Sequence, residues 1–127
     1  MLYEIRPTQQ HVPDLRHRWF TSDCGRYNLY LWQNRVTGEL QSLQWNFPCE
    51  IRDVVVRWER GGGLNWGVEV PEDSFRRNRS PLIRDLENPC PEAAVSTFRY
   101  LSAELEPALC RSVLAILNIP AGKALTG

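Results

Sequence analysis

The feature that most constrains the fold is a pair of alternating apolar runs on either side of one turn, Val36-Thr37-Gly38. Successive side chains of a strand point to opposite faces of a sheet, so each run places its apolar residues on one face. Pairing of Arg35 with Glu39 across a three-residue loop brings the two runs onto the same face and puts Gly38 at a left-handed position. The opposed pairs are then Leu31 and Leu43, Leu29 and Trp45, and Tyr27 and Phe47. The pattern predicts an antiparallel hairpin with one apolar face.

A second hairpin is predicted around Gly61-Gly62-Gly63. With these glycines as the loop, the opposed pairs are Trp58 and Trp66, Val56 and Val68, and Val54 and Val70. Neither a Lys-Ser/Thr pair nor a helix follows the glycines, so a phosphate-binding loop is not indicated. Trp58 is expected in the core, where Trp58→Ala would cost about 3 to 5 kcal/mol.

The two halves of the chain differ in periodicity. Alternation with period two over about 1–70 indicates strands, and helical spacing over about 92–118 indicates two helices, the second starting near Glu106. A loop rich in Pro, Arg and Asp joins them over about 71–91. At 127 residues the chain fits a single hydrophobic core. We therefore predict one α+β domain over residues 1–127, an antiparallel meander of four to five strands with two C-terminal helices packed on one face.

Charge and cysteine content restrict the partners. Fifteen basic and fifteen acidic residues give a net charge of zero, so no long-range field attracts nucleic acid or an anionic membrane. No segment approaches the ~18 apolar residues that span a bilayer, and the N-terminal residues lack the order of a signal peptide. The four cysteines form no Cys-x-x-Cys pair and have no neighbouring His. We predict a cytoplasmic protein with free thiols, no metal site and no cofactor.

Motifs of hydrolases, metalloproteases, dinucleotide-binding proteins and P-loop enzymes are absent from the sequence. The best candidate for acid–base chemistry is His17, with Asp23 or Cys24 across the turn that ends at Gly25. In the alternative interpretation, His17 is a strand residue with solvent on one side. We favour a protein without catalytic activity and keep a small enzyme of this kind as an alternative.

The strand register also predicts an outer sheet face, which the helices leave uncovered. Its residues are polar with aromatics inserted, namely Asn28, Tyr30, Trp32, Ser42, Gln44, Asn46, Asp53, Val55, Arg57, Glu59, Asn65 and Glu69. Either Trp19 or Phe20 joins them, because adjacent residues of a strand face opposite ways. Aromatics beside amides and charges are typical of partner or ligand surfaces. In the alternative interpretation, residues 71–91 fold over this face.

The predicted function is a noncatalytic protein-interaction module whose partner is an unknown protein or a second copy of the chain. Contact is expected through the outer sheet face or the C-terminal helix, where the apolar run Val113–Leu117 indicates burial on more than one side. The candidate binding residues are Trp19, Tyr30, Trp32, Gln44, Arg57, Arg76, Arg77 and Arg79. A further alternative is local anion or nucleic-acid binding by the loop Arg76–Arg84, although acidic residues bracket it. Neither nucleic acid nor a membrane is the expected partner.

Several aromatic segments resemble a group of small bacterial proteins of uncharacterised function. The segments are Arg16-His17-Arg18-Trp19-Phe20, Leu29-Tyr30-Leu31-Trp32, Leu43-Gln44-Trp45-Asn46-Phe47 and Arg79-Ser80-Pro81-Leu82-Ile83. Proteins of that group show an Arg-Arg-Trp-Phe start, a strand ending in Trp and a Phe-Gln-Leu-Cys-Tyr-Asp-like strand. Here His17 interrupts the doubled arginine and the Cys-Tyr-Asp portion is absent, so no residue role is carried over. The resemblance implies a bacterial, cytosolic α+β domain and supplies no activity.

Overall fold

A computed structural model describes residues 1–6, 13–49, 52–70, 82–85 and 89–119. Within them the chain forms strands followed by two helices, which confirms the predicted α+β class. The elements are β1 (Leu2–Ile5), β2 (Leu15–Ser22), β3 (Asn28–Asn34), β4 (Leu40–Cys49), β5 (Arg52–Glu59), β6 (Gly63–Val70), β7 (Leu82–Asp85), α1 (Pro91–Leu101) and α2 (Pro107–Leu117). Neither helix is long and apolar enough to cross a membrane.

The strands form one antiparallel meander, in which each strand pairs with the next along the chain. The meander is confirmed, but the described sheet has seven strands rather than four or five, because β1 and β7 extend its two edges. β7 lies inside the segment 71–91 that was predicted to be a loop. A strand of four residues is too short to show a clear alternating pattern, which is why the sequence did not reveal it.

The hairpin between β3 and β4 has the predicted facing pairs, since Leu29 lies opposite Trp45 and Leu31 opposite Leu43. Gly38 adopts the expected positive φ of 78°. The predicted pairing at the turn is wrong, however, because the loop is longer by one residue than the three expected.

The longer loop begins at Asn34, whose side-chain Oδ1 accepts hydrogen bonds from the backbone N–H groups of Val36 and Thr37 at 2.8 and 2.9 Å. The Asn34 N–H donates to the Glu39 carbonyl at 2.7 Å, which excludes the predicted pair of Arg35 with Glu39. An irregularity after Trp32 restores the register of the facing pairs. β3 begins at Asn28, so the predicted pair of Tyr27 with Phe47 falls outside the ladder.

The hairpin between β5 and β6 differs from the prediction by two residues. Its facing pairs are Val54 and Val68, Val56 and Trp66, and Trp58 and Leu64. The turn begins at Glu59, whose carbonyl accepts the Gly62 N–H at 2.9 Å, and Gly61 and Gly63 have φ of 85° and 81°. Because a shift of two residues keeps every side chain on its face, the predicted faces hold although the pairs are wrong.

The core lies between one face of the sheet and the two helices. Trp45 is fully buried there, and Phe98 of α1 packs edge-on against it, with ring centroids 5.6 Å apart at 85°. Trp58 only partly joins this core, because its ring reaches the margin of the sheet and lies 5.5 Å from the Arg60 guanidinium. The predicted inward direction of Trp58 is confirmed, but the residue is only partly buried.

Helix α2 begins at Pro107, where the missing N–H of proline costs no helical hydrogen bond. Val113 and Leu117 are buried, while Ala115 in the same apolar run is exposed. The predicted burial of α2 on more than one side is therefore wrong, because Ser112 and Ala115 on its outward side are exposed to solvent.

One cation lies on the core face of the sheet. Arg18 is 5% exposed, and its guanidinium donates two hydrogen bonds of 2.9 Å to Glu4 of β1. A further bond of 2.9 Å reaches Glu106, the residue before α2, and the guanidinium lies 5.0 Å from the ring centre of Phe20. A buried cation is tolerated when it is paired and hydrogen-bonded, and these contacts meet that need. The cluster ties β1 and β2 to the start of α2.

Substitution of Trp45 should cost more stability than substitution of Trp58. We expect Trp45→Ala to lower the free energy of unfolding by about 3 to 5 kcal/mol and Trp58→Ala by about 2 kcal/mol, because Trp58 is already partly exposed. Trp45→Phe is the matched control and should cost less than Trp45→Ala, since the indole N–H has no hydrogen-bond partner among the described residues. Urea denaturation followed by circular dichroism measures all three, and equal losses at the two tryptophans would contradict the assigned burial.

The Arg18 cluster should make the protein sensitive to acid. The hydrogen bonds that Arg18 donates to Glu4 lower the pKa of the Glu4 carboxyl from 4.5 to about 2. Because the folded pKa lies below the unfolded one, the stabilisation is complete above about pH 4.5 and is lost as the pH falls toward about 2. Glu4→Gln should remove about 2 kcal/mol at neutral pH and flatten this acid dependence. Urea denaturation across this pH range tests it, with Glu104→Gln in the exposed turn between the helices as the control.

Candidate functional site

The face of the sheet away from the helices carries the candidate binding residues. Phe20 is 2% exposed in the core, so Trp19, its neighbour in β2, points to the opposite face. Tyr30, Trp32, Gln44 and Trp19 are all partly buried on this outer face. The structure thus brings together five of the eight predicted binding residues, since Arg57 also lies on this face, as an exposed residue of β5.

Four rings from β2 and β3 stack on the outer face as an aromatic ladder made of Trp19, Tyr30, His17 and Trp32. The ring centroids lie 6.0 Å apart for Trp19 and Tyr30, 6.3 Å for Tyr30 and His17, and 4.7 Å for His17 and Trp32. The planes are inclined by 15°, 5° and 23° in the same order, so the rings are nearly parallel. The register explains the ladder, because Trp19 pairs with Tyr30 and His17 with Trp32 across the two strands.

His17 belongs to this ladder and is separated from its proposed catalytic partners. Its Nδ1 lies 3.2 Å from the Leu31 carbonyl, which can only accept, so Nδ1 carries the proton. Asp23 and Cys24 follow the far end of β2, about 16 Å away along five extended residues. The structure therefore does not assemble the His17 site that the sequence suggested.

The thiol of Cys24 is exposed in the turn after β2. Its Sγ lies 3.3 Å from the Ser22 Oγ, and this hydrogen bond lowers the pKa of the Cys24 thiol. No histidine lies in the described turn between β2 and β3, so Cys24 is not part of a Cys–His pair there.

A shallow trough of about 370 Å³ lies beside the aromatic ladder. Trp32 forms the wall on β3, Ser42 and Gln44 of β4 form the floor, and Arg57 and Glu59 of β5 form the opposite wall. Neighbouring strands are about 4.8 Å apart, so the two walls are separated by about 10 Å. The small side chain of Ser42 leaves this space open.

Hydrogen bonds hold the polar side chains of the outer face in position. The Arg57 Nε donates to Gln44 Oε1 at 3.1 Å, and Gln44 Nε2 donates to Asn46 Oδ1 at 2.9 Å. At the other end of the face, Trp19 Nε1 donates to Asn28 Oδ1 at 3.0 Å. Side chains that are ordered before binding lose less conformational entropy when a partner arrives.

The charged residues on one wall of the trough form no ion pair with the rest of the described chain. Arg57 and Glu59 are both exposed, and neither forms an ion pair within the described ranges. By contrast, Asp53, the third charged residue of this face of β5, lies 3.3 Å from Arg26. One cation and one anion therefore lie two residues apart on β5, both exposed to solvent.

Part of the outer face is closed to solvent, since Val55 is 1% exposed although it points away from the helices. The prediction that residues 71–91 cover this face falls largely outside the described residues, as do Arg76, Arg77 and Arg79. The backbone of Arg84 pairs with Val68 as part of β7. The predicted anion-binding loop is therefore not tested.

Two further clefts, of about 400 and 430 Å³, lie where the helices meet the margin of the sheet. In the first, Glu39 and Arg60 are paired with each other at 3.5 Å, and Glu106 is paired with Arg18. The second is lined by Trp66, by residues of α1 and by Ile119. No group of three His, Cys, Asp or Glu side chains in the described part of the chain is placed to hold a metal ion.

The sequence singled out most of the outer face and missed the role of His17. The interpretation of His17 as a strand residue with solvent on one side is confirmed, since it lies partly exposed in β2, but the ring also completes the aromatic ladder between Tyr30 and Trp32. Extending the alternation of β3 across the turn at Gly25 onto β2 would have aligned His17 with Trp32 and Trp19 with Tyr30. The signal was present in the register of the two strands.

Comparisons with known proteins found no matching family model, no matching curated protein and no matching solved structure. The resemblance to the small bacterial proteins therefore stays a prediction.

The aromatic ladder should be measurable as a coupling energy. In a double-mutant cycle, His17→Ala and Trp32→Ala should be coupled by about 0.5 to 1.5 kcal/mol, because their rings are in direct contact. Trp19→Ala and Trp32→Ala are the control pair, since these rings are not neighbours in the ladder, and their effects should add within about 0.5 kcal/mol. Urea denaturation of the single and double variants gives both values, and equal couplings would contradict the ladder.

Proposed function

We propose that this chain is a noncatalytic protein-interaction module that binds its partner through the outer sheet face. The observation that carries the proposal is the aromatic ladder, which places two tryptophans and a tyrosine outside the core on the same face as Arg57. Trp, Tyr and Arg are the side chains that most often dominate the binding energy of protein interfaces. The core already has its own aromatic residues in Trp45, Phe47 and Phe98, so the ladder is not needed to fill it.

The geometry favours the sheet face over the C-terminal helix. The apolar residues of α2 that suggested a second contact surface are mostly used in the core, as Leu109, Val113 and Leu117 show. What remains outward on α2 is small or polar, such as Ala108, Ser112 and Ala115. Interface centres are enriched in aromatic residues and depleted in serine and alanine, so the sheet face is the better candidate.

The charges of the outer face support a protein partner rather than nucleic acid. Arg57 is accompanied by Glu59 two residues away on the same face, and the whole chain has no net charge. A nucleic acid would be repelled by Glu59 about as strongly as it is attracted by Arg57. A protein surface can offer an opposite charge to each of them.

A noncatalytic role is supported by the separation of His17 from Asp23 and Cys24 along β2. A cytoplasmic location is part of the proposal and is supported by the four cysteines, none of which forms a disulfide bond in the described part of the chain. Free thiols are the usual state of cysteine in a reducing compartment.

Site-specific cross-linking in living cells tests the proposal. A photoreactive amino acid in place of Asn65, which is exposed on β6 and pairs with Arg57, should form an adduct with a protein. The matched control carries the same amino acid in place of Ser112, which is exposed on the outward side of α2. The adduct at position 65 should fall at least about tenfold when Trp32 is changed to Ala, as for an interface hot spot.

Absence of a protein adduct at position 65 would refute the proposal. An adduct of equal yield at position 112 would also refute it, because contact would then not be specific to the outer face.

A further inference from the structure

Two rows of side chains run across the strands of the outer sheet face. The first row, defined by strand pairing, consists of His17, Trp32, Ser42 and Glu59. The second row, two residues away along each strand, consists of Trp19, Tyr30, Gln44 and Arg57. Each row contains two aromatic rings, then an uncharged polar residue, then a charged residue. The charges are opposite, and the polar residue is small in the first row and large in the second.

We infer that the outer sheet face binds a second copy of this chain, with the first row of each copy facing the second row of the other. The inference rests on the proposed function and names the partner for that same face. Consider a two-fold axis that lies between two facing sheets, runs across the strands and passes midway between the rows. Rotation about this axis keeps each strand opposite its own counterpart and exchanges the two rows.

The exchange matches the chemistry of all four positions. Glu59 of one copy faces Arg57 of the other, and each copy contributes both charges, so the dimer contains this ion pair twice. Ser42 faces Gln44, so the small residue that opens the trough lies opposite the larger side chain that enters it. A single axis therefore satisfies charge and size together.

The aromatic positions follow the same exchange. His17 of one copy faces Trp19 of the other, and Trp32 faces Tyr30. Both ladders then pack ring against ring, which buries the largest apolar surface that the outer face leaves partly exposed. Stacked sheets pack about 10 Å apart, a gap that Arg, Glu and aromatic side chains can span from the two sides.

The size of the face sets the expected strength of the dimer. The five strands β2 to β6 span about 24 Å, and eight residues of strand extend about 26 Å, so the flat area is at most about 600 Å² per copy, because the part around Val55 is already closed to solvent. Burial of about 1,200 Å² in total is at the lower limit for specific interfaces. We therefore expect an equilibrium between monomer and dimer with a Kd of the order of micromolar.

Charge reversal in sedimentation experiments on the full chain tests the arrangement. The variants R57E and E59R each place like charges opposite one another in the dimer and should weaken association at least about 100-fold. The double variant R57E/E59R restores opposite charges and should dimerise within about tenfold of the original chain. R111E, on the exposed side of α2, is the matched control and should leave the Kd unchanged. Circular dichroism establishes that each variant is folded.

Mixing the two single variants gives an independent measurement. An R57E copy presents two carboxylates and an E59R copy presents two guanidinium groups, so both ion pairs form only in the mixed dimer. A 1:1 mixture of the two should therefore contain heterodimer, whereas each variant alone stays monomeric.

Other results would overturn the inference. A strictly monomeric original chain at about 200 µM would do so, since that concentration is far above the expected Kd. If all variants dimerised equally well, the interface would lie elsewhere. If neither the double variant nor the mixture associated, the pairing of Arg57 with Glu59 would be excluded. If the chain is monomeric but position 65 cross-links to a different protein, the proposed function stands and only the self-association fails.

Discussion

The pairing of β3 with β4 determines which side chains of this sheet are buried and which reach solvent. Leu29 lies opposite Trp45 and Leu31 opposite Leu43, so both strands turn their apolar residues to the helices. A slip of one residue would bury the amides and expose the core, at a cost far above the stability of a domain. The irregularity after Trp32 absorbs the extra loop residue without this slip. The core and the outer rows are thus two consequences of one register.

Arg18 departs from this division of the sheet, since it brings a charge onto the core face. The guanidinium is accommodated because Glu4 and Glu106 approach it from different elements and Phe20 lies beside it. Glu106 is the residue before α2, so its carboxylate lies near the positive, N-terminal end of the helix dipole. These ion pairs connect the edge of the sheet to the start of α2.

The sequence predicted those parts of the fold that depend on period and face. The α+β class, the meander, the faces of both hairpins and the two helices follow from local alternation and from Pro107. The exact turn of the second hairpin could not be predicted, because three consecutive glycines are compatible with several turns. Only the structure shows which one forms. The Arg18 cluster could not be predicted from the sequence either, because Glu106 is 88 residues from Arg18 and no local pattern links the two. For the site, alternation identified the aromatic outer face, but the stacking of His17 required the register between β2 and β3.

The meander has a consequence for how the chain acquires its structure. Each strand pairs with its predecessor across a connection of 2 to 11 residues, so the described sheet can grow by adding one strand at a time, which limits the entropy cost of each step. The contact between Arg18 and Glu106 spans most of the chain and forms only when α2 reaches the sheet. During synthesis, β2 therefore emerges and pairs long before the last carboxylate of its cluster exists. The helices follow the strands in the chain, and the bond to Glu106 adds a second carboxylate to an Arg18 that Glu4 of β1 already pairs.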